Sequence, residues 1–219
     1  MKKIAGILVL FLIALAFVGC QPSAESAEPA VFSEEKVIED LNITNYSYRY
    51  TVSGESLFVE CYEIENTSAF NITISVEYHF YDEAGDLVSV RTSKDEGIGP
   101  GQKTVFVYHQ EKPYSACELK LSVTLDTEHI SAASDFSYEV AVAGDTPIIS
   151  LTNNSVHAAH SVSALILYFN GDQCVGFDSR GFFDADHEFK AGKTITREYS
   201  PVDVEFDSYR VYLQGQTKQ

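Results

Sequence analysis

The chain has no tryptophan and a single methionine, and it carries only 15 lysines and arginines against 32 aspartates and glutamates. Without tryptophan, the broadest platform for stacking a planar sugar is missing. The formal charge of −17 would repel a phosphate backbone, and no basic stripe interrupts the acidity, so nucleic acid is excluded as a partner. Prolines number six, and none is central in a strand-like run. Helical periodicity is nearly absent, which excludes a helix bundle. There is no Gly-x-Ser-x-Gly elbow, P-loop, zincin motif or dinucleotide fingerprint. Acid pairs are frequent only because acids are frequent, so they carry no message about glycoside chemistry. The chain therefore reads as no enzyme, with no cofactor.

Long apolar runs are also lacking, with one exception. Lys2 and Lys3 precede an apolar stretch from Ile4 to Val18, followed by Gly19-Cys20. As a helix, this stretch would span roughly 22 Å, short of the ~30 Å hydrocarbon core. Its charged start, apolar centre and small residue before a cut site describe a secretory leader over residues 1–19. Phe17-Val18-Gly19-Cys20 resembles the bacterial lipobox, with Phe17 where leucine is usual. The resemblance implies that Cys20 is lipidated and becomes the mature N-terminus, holding the chain to the cell membrane on its extracytoplasmic side. Two or more acyl chains anchor stably because each buried CH₂ contributes about 0.8 kcal/mol. Losing Lys2 and Lys3 with the leader takes the charge from −17 to −19. Residues 20–32, rich in Ala, Ser, Glu and Pro, bury too little to offset chain entropy and read as a flexible tether.

Beyond the tether, tyrosine, valine, threonine and isoleucine dominate runs suited to half-buried strands. Only "SEEKVIEDL" suggests a helix, short and capped by Ser33 with acids in its first turn. Val76, Tyr78 and Phe80 alternate with Glu77, His79 and Tyr81, as a strand with one wet face should. Cys117, Leu119, Leu121 and Val123 alternate in the same way. "DEAGD" is a hairpin connection in which Gly85 can take positive φ. "GIGPGQ" is a longer turn around Pro100.

The chain also repeats itself. "IENTS" (64–68) returns as "LTNNS" (151–155), "VEYHFYD" (76–82) as "ALILYFN" (164–170), and "DLVS" (86–89) as "QCVG" (173–176). "GQKT" (101–104) returns as "GKT" (192–194), and "LKL" (119–121) as "VYL" (211–213). A unit of this size is a whole domain rather than a solenoid repeat. Six or so short strands per unit, with frequent turns, predict an all-β fold of two tandem antiparallel sandwiches. The boundaries fall at 33–125, with the short helix, and 136–219, joined by a linker at 126–135.

"YHFYD", "AGDLV" and "GPGQKTVF" resemble the FxLYD-type domain, an immunoglobulin-like sandwich of exported bacterial proteins. Asn66, Phe80, Tyr81, Asp82, Gly85, Pro100 and Gly101 fall on its pattern. The second unit departs from it, with Phe169-Asn170-Gly171 for Tyr-Asp and Ala191 for the proline. The resemblance covers roughly residues 45–125 and, more loosely, 136–214. It implies a fold and an extracytoplasmic setting, and no catalytic chemistry.

Several residues invite a chemical reading. Cys61 and Cys117 lie in the second and last strands of the first unit. If both point inward they either bridge, as an exported protein permits, or pack as free thiols; Cys174 has no partner within its own unit. Asp184, Asp186 and Glu188 alternate around His187 in an acidic turn without the rest of a calcium loop, which favours a solvated turn. His157 and His160 lack a third ligand nearby, so no metal is expected. "SALILYFN" is apolar on both faces, so Leu165, Leu167 and Phe169 are expected to face outward into an interface. The whole reads as a membrane-anchored, non-enzymatic module binding a protein, peptide or glycan. The alternative is a structural or accessory subunit of an exported envelope assembly.

Overall fold

A computed structural model describes residues 30–52, 55–144, 146–200 and 205–218. The expected leader, Cys20 and most of the tether lie outside the described residues. No helix among the described residues is long and apolar enough to cross a membrane.

Helix α1 (Glu34–Glu39) opens the described chain. Ser33 is extended at φ −138° and its side chain accepts from Lys36 N at 3.5 Å, while Glu34 and Glu35 suit the positive end of the helix. Val37 is buried in the first core.

Six strands follow: β1 (Leu41–Val52), β2 (Glu55–Asn66), β3 (Ile72–Tyr81), β4 (Leu87–Ile98), β5 (Lys103–Gln110) and β6 (Ala116–Leu125). They form two antiparallel sheets, β1-β2-β5 and β4-β3-β6. Between them lies a core of Tyr62, Ile64, Val76, Tyr78, Phe80, Phe106 and Val123. The alternation in β3 has its expected result, since Val76, Tyr78 and Phe80 are buried and Glu77 is exposed. Gly85 takes φ +85° in the β3–β4 hairpin.

The second half adds β7 (His129–Ser131), β8 (Phe136–Ala143), β9 (Thr146–Asn153), β10 (Ala159–Asn170), β11 (Gln173–Gly181), β12 (Glu188–Phe189), β13 (Thr194–Glu198) and β14 (Ser208–Lys218). Sheet β13-β9-β8 covers one side of a second core, and sheet β11-β10-β14-β7 covers the other, with β12 paired to β10. Ile149, Leu151, Ala164, Ile166, Tyr168, Phe189 and Ile195 fill this core. Residues Val31–Gln219 make up one compact unit.

The repeat has a physical counterpart in two buried asparagines. Asn66 Nδ2 donates to Phe70 O at 2.8 Å and to Ile98 O at 2.9 Å, and Oδ1 accepts from Ser68 N and Oγ. Asn153 Nδ2 donates to His157 O at 3.0 Å and to Phe189 O at 2.9 Å, and Oδ1 accepts from Ser155 N. The backbone repeats as well: Gly101 N donates to Asn66 O, and Gly192 N to Asn153 O. Each asparagine pins a turn after one strand to a strand end elsewhere in its half.

A third buried cluster lies between the halves. Val59, Cys61 and Val105 from sheet β1-β2-β5 meet Leu167, Phe169, Cys174 and Tyr212 from the β10 sheet, with Leu165 packed against them. Strands β2 and β10 are therefore buried on both faces. β10 sends Ala164, Ile166 and Tyr168 into its own core and Leu165, Leu167 and Phe169 toward the first half.

Two expectations need correction. Cys61 and Cys117 do not bridge: Cys61, Cys117 and Cys174 are free thiols. Cys61 points between the halves, whereas Cys117 packs beside the first core, near Tyr62. Adjacent strand residues face opposite sides, so Tyr62 looking at Cys117 turns Cys61 away from it.

Residues 126–135, expected as a linker, are built into the fold. Asp126 Oδ1 accepts from Glu128 N at 3.0 Å and His129 N at 2.9 Å, and Oδ2 accepts from Thr73 Oγ1 at 2.7 Å and Gly97 N at 2.9 Å. Strand β7 then pairs with β14, and Ala132 is buried. Gly97 sits at φ +67°, and a Cβ there would come within 3.2 Å of the His129 Cβ, so glycine suits both the conformation and the close approach.

This carboxylate gives a pH prediction. Burial alone would raise the Asp126 pKa, but the bonds from His129, Thr73, Glu128 and Gly97 outweigh it and hold the pKa at about 2. A depressed folded pKa stabilises above the ordinary carboxylate value and is lost as pH falls through the folded one. Asp126→Asn should therefore lower stability by on the order of 2 kcal/mol at pH 7. The gap between wild type and variant should narrow as pH falls from about 4 to about 2. Urea melts at several pH values measure it, and a gap independent of pH would contradict the assignment.

Candidate functional site

Polar groups ring the contact between the halves. Glu63 is buried and faces the second half, where Tyr212 Oη donates to its Oε2 at 2.6 Å. Lys103 Nζ donates to Oε1 at 2.6 Å, and Arg210 stands 3.6 Å away. Burial pushes the Glu63 pKa up, but the Lys103 and Tyr212 bonds overcome it and leave the carboxyl below its usual range. The Arg210 guanidinium also lies 4.4 Å from the centre of the Phe169 ring and donates to Tyr46 Oη at 2.6 Å. Farther along, Gln214 Nε2 donates to Asp95 Oδ2 at 2.8 Å and to Thr104 Oγ1 at 2.7 Å, and burial raises the Asp95 pKa.

At the edge where β1 approaches β11, the two sheets part and leave an open cleft of about 690 Å³. Tyr46, Tyr48 and Tyr50, alternate residues of β1, form one wall; Gln173, Cys174 and Val175 form the other, with Arg49, Asp172 and Glu205 also lining the space. A smaller recess of about 210 Å³ continues from it between Tyr48, Tyr50, His109, Val175, Phe177 and Asp178. Tyr50 Oη and His109 Nδ1 are 3.1 Å apart, and the His109 ring meets Phe177 edge-on at 5.1 Å. Burial lowers the His109 pKa, favouring the neutral imidazole. Burial also raises the Tyr48 and Tyr50 phenols, which stay protonated donors. This is an aromatic-walled recess with hydroxyl and imidazole groups in it and charges near its mouth. Such a surface can stack on and hydrogen-bond a ligand.

No local sequence motif marks this cleft. Its walls come from β1, β5 and β11, and the only local sign was the alternating tyrosines of "YSYRY". Of the residues singled out earlier, Leu167 and Phe169 are buried behind the cleft, Leu165 packs beside them, and Cys117 is elsewhere. Cys20 lies outside the described residues. In the acidic turn, Lys193 binds Asp184 and Lys190 binds Asp186 at 2.9 Å. Among the described residues no group of three or more His, Cys, Asp or Glu is placed to hold a metal ion.

No protein-family model matches the chain, and no curated protein matches it.

Proposed function

We propose that this chain is an exported, lipid-anchored binding module whose two immunoglobulin-like, FxLYD-type halves act as one rigid body and recognise a protein, peptide or glycan ligand at the tyrosine-walled cleft. The cleft is the observation that carries this reading: three tyrosines, a histidine and a phenylalanine line an open groove. Interaction faces are commonly built from such rings, which bring large contact area at small entropic cost. The anchor at Cys20 and the tether would hold this acidic body clear of anionic headgroups.

Two measurements test it. Cys20→Ser should leave an unprocessed or soluble species, whereas wild type partitions into the detergent phase; equal partitioning would refute the lipid anchor. On immobilised peptide and oligosaccharide arrays, wild-type signals should fall at least about ten-fold for Tyr48→Ser/Tyr50→Ser, the loss expected when aromatic anchors worth about 2 kcal/mol are removed. Unchanged binding by that variant would move the site away from the cleft.

A further inference from the structure

The structure carries one arrangement that the binding reading does not use. Cys61, in β2 of the first half, and Cys174, in β11 of the second, lie in the same buried cluster between the halves. Their neighbours interlock across the same boundary. Tyr46 pairs with Cys61 in one sheet, Phe169 pairs with Cys174 in the other, and the two rings meet edge to face at 5.3 Å. These residues are 113 positions apart and share no local motif.

We propose that Cys61 and Cys174 form a disulfide that fastens the two halves together, made by thiol–disulfide exchange with a disulfide-bearing oxidant that enters through the cleft. The two thiols are not equivalent. Cys174 lines the cleft and is 6% exposed, while Cys61 behind it is fully buried. The neighbouring Cys61 lowers the Cys174 pKa, aided by the backbone at Gly176, and the neighbouring Cys174 together with burial raises that of Cys61. Cys174 is thus the attacking thiol and Cys61 the resolving one. The Cys174 thiolate attacks one sulfur of the oxidant, forms a mixed disulfide and expels the other sulfur as a thiolate. Cys61 then gives up its proton and attacks the Cys174 sulfur, closing the S–S bond and releasing the second thiolate. Two electrons and two protons pass from the pair to the oxidant, which leaves as thiols. Cys117 has no part, because it packs against the first core, on the opposite side of sheet β1-β2-β5 from the cluster that holds Cys61 and Cys174.

The test uses the full chain, incubated with oxidised glutathione, alkylated and mapped by mass spectrometry without reduction. A Cys61–Cys174 linked peptide should dominate. The thermal midpoint should rise by roughly 10 °C on oxidation and return with dithiothreitol, as expected for closing so long a loop. Cys61→Ser should trap glutathione on Cys174, Cys174→Ser should leave Cys61 unmodified, and Cys117→Ser should behave as wild type. The wild-type peptide map needs no variant to fold. A stable glutathione adduct on wild-type Cys174 with Cys61 free, a linkage through Cys117, or failure to oxidise either thiol would overturn the proposal. None of these outcomes bears on ligand binding, so the cleft reading stands or falls separately.

Discussion

Replacing Leu167 and Phe169 together with serine should lower the midpoint of thermal unfolding by roughly 10–20 °C and split one transition into two. Both side chains are almost wholly buried against Val59, Cys61 and Val105 of the first half. Truncating a buried leucine or phenylalanine typically costs about 3–5 kcal/mol, and each new hydroxyl would need a partner that this apolar cluster does not offer. The two sites share neighbours, so their costs will not add simply. Neither residue belongs to the first core, which is built from Tyr62, Ile64, Tyr78, Phe80 and Phe106. The first half should therefore keep its own melting behaviour while the second moves free. Calorimetry with small-angle scattering distinguishes the cases. A variant that still melts in a single, unshifted step would show that the cluster does not couple the halves.

The second large effect is expected at the paired asparagines. Asn66 uses its full capacity, two donated and two accepted bonds, in a site with no solvent exposure. Asn66→Ala strands buried carbonyls and should cost about 2–4 kcal/mol, since each unsatisfied buried group carries a penalty of roughly 1–3 kcal/mol. Asn66→Asp should be worse at neutral pH, because a carboxylate would face the carbonyls of Phe70 and Ile98 where an amide donated. Acidification should recover part of that loss, since a protonated carboxyl regains one donor. Asn153→Ala and Asn153→Asp should follow the same ranking, with Phe189 and His157 as the stranded carbonyls. Denaturant melts at pH 7 and pH 4 check all four variants. Aspartate tolerated better than alanine at pH 7 would refute the donor assignment.

What could be read in the chain followed from whether a strand had one wet face. β3 and β6 did, so their inward residues and the hairpin at Gly85 were legible. Ser33 announced α1 because capping is local chemistry. β2 was harder: with Val59, Cys61, Tyr62 and Ile64 all apolar, period two cannot say which set meets its own core. That ambiguity put Cys61 on the wrong side and suggested a bridge to Cys117. β10 was apolar on both faces from Ala164 to Phe169 and so signalled double burial, although nothing in it named the surface opposite. "DTEHISAASD" looked like slack chain because its order comes from Asp126 capturing donors on β4 and β3, long-range bonds invisible to composition. The cleft was hidden for the same reason, since it exists only where two distant edges fail to close.

Strand β14 has a consequence for the order in which the molecule can be assembled. It is the last of the described strands along the chain, yet it lies inside its sheet between β10 and β7, and it carries Arg210, Tyr212, Gln214 and Gln216, all bonded to the first half. A chain emerging N-terminus first can complete α1 to β6 early, because that core draws on nothing later. The second sheet and the seam between the halves must wait for the final strand. Until it arrives, β7 and β10 each present an unpaired edge, and Leu167 and Phe169 lie open. During that interval the nascent protein is most exposed to proteases and to mispairing with another copy. A synonymous change that slows translation ahead of residue 208 would prolong the interval, leaving the finished fold unaltered and reducing the yield of it.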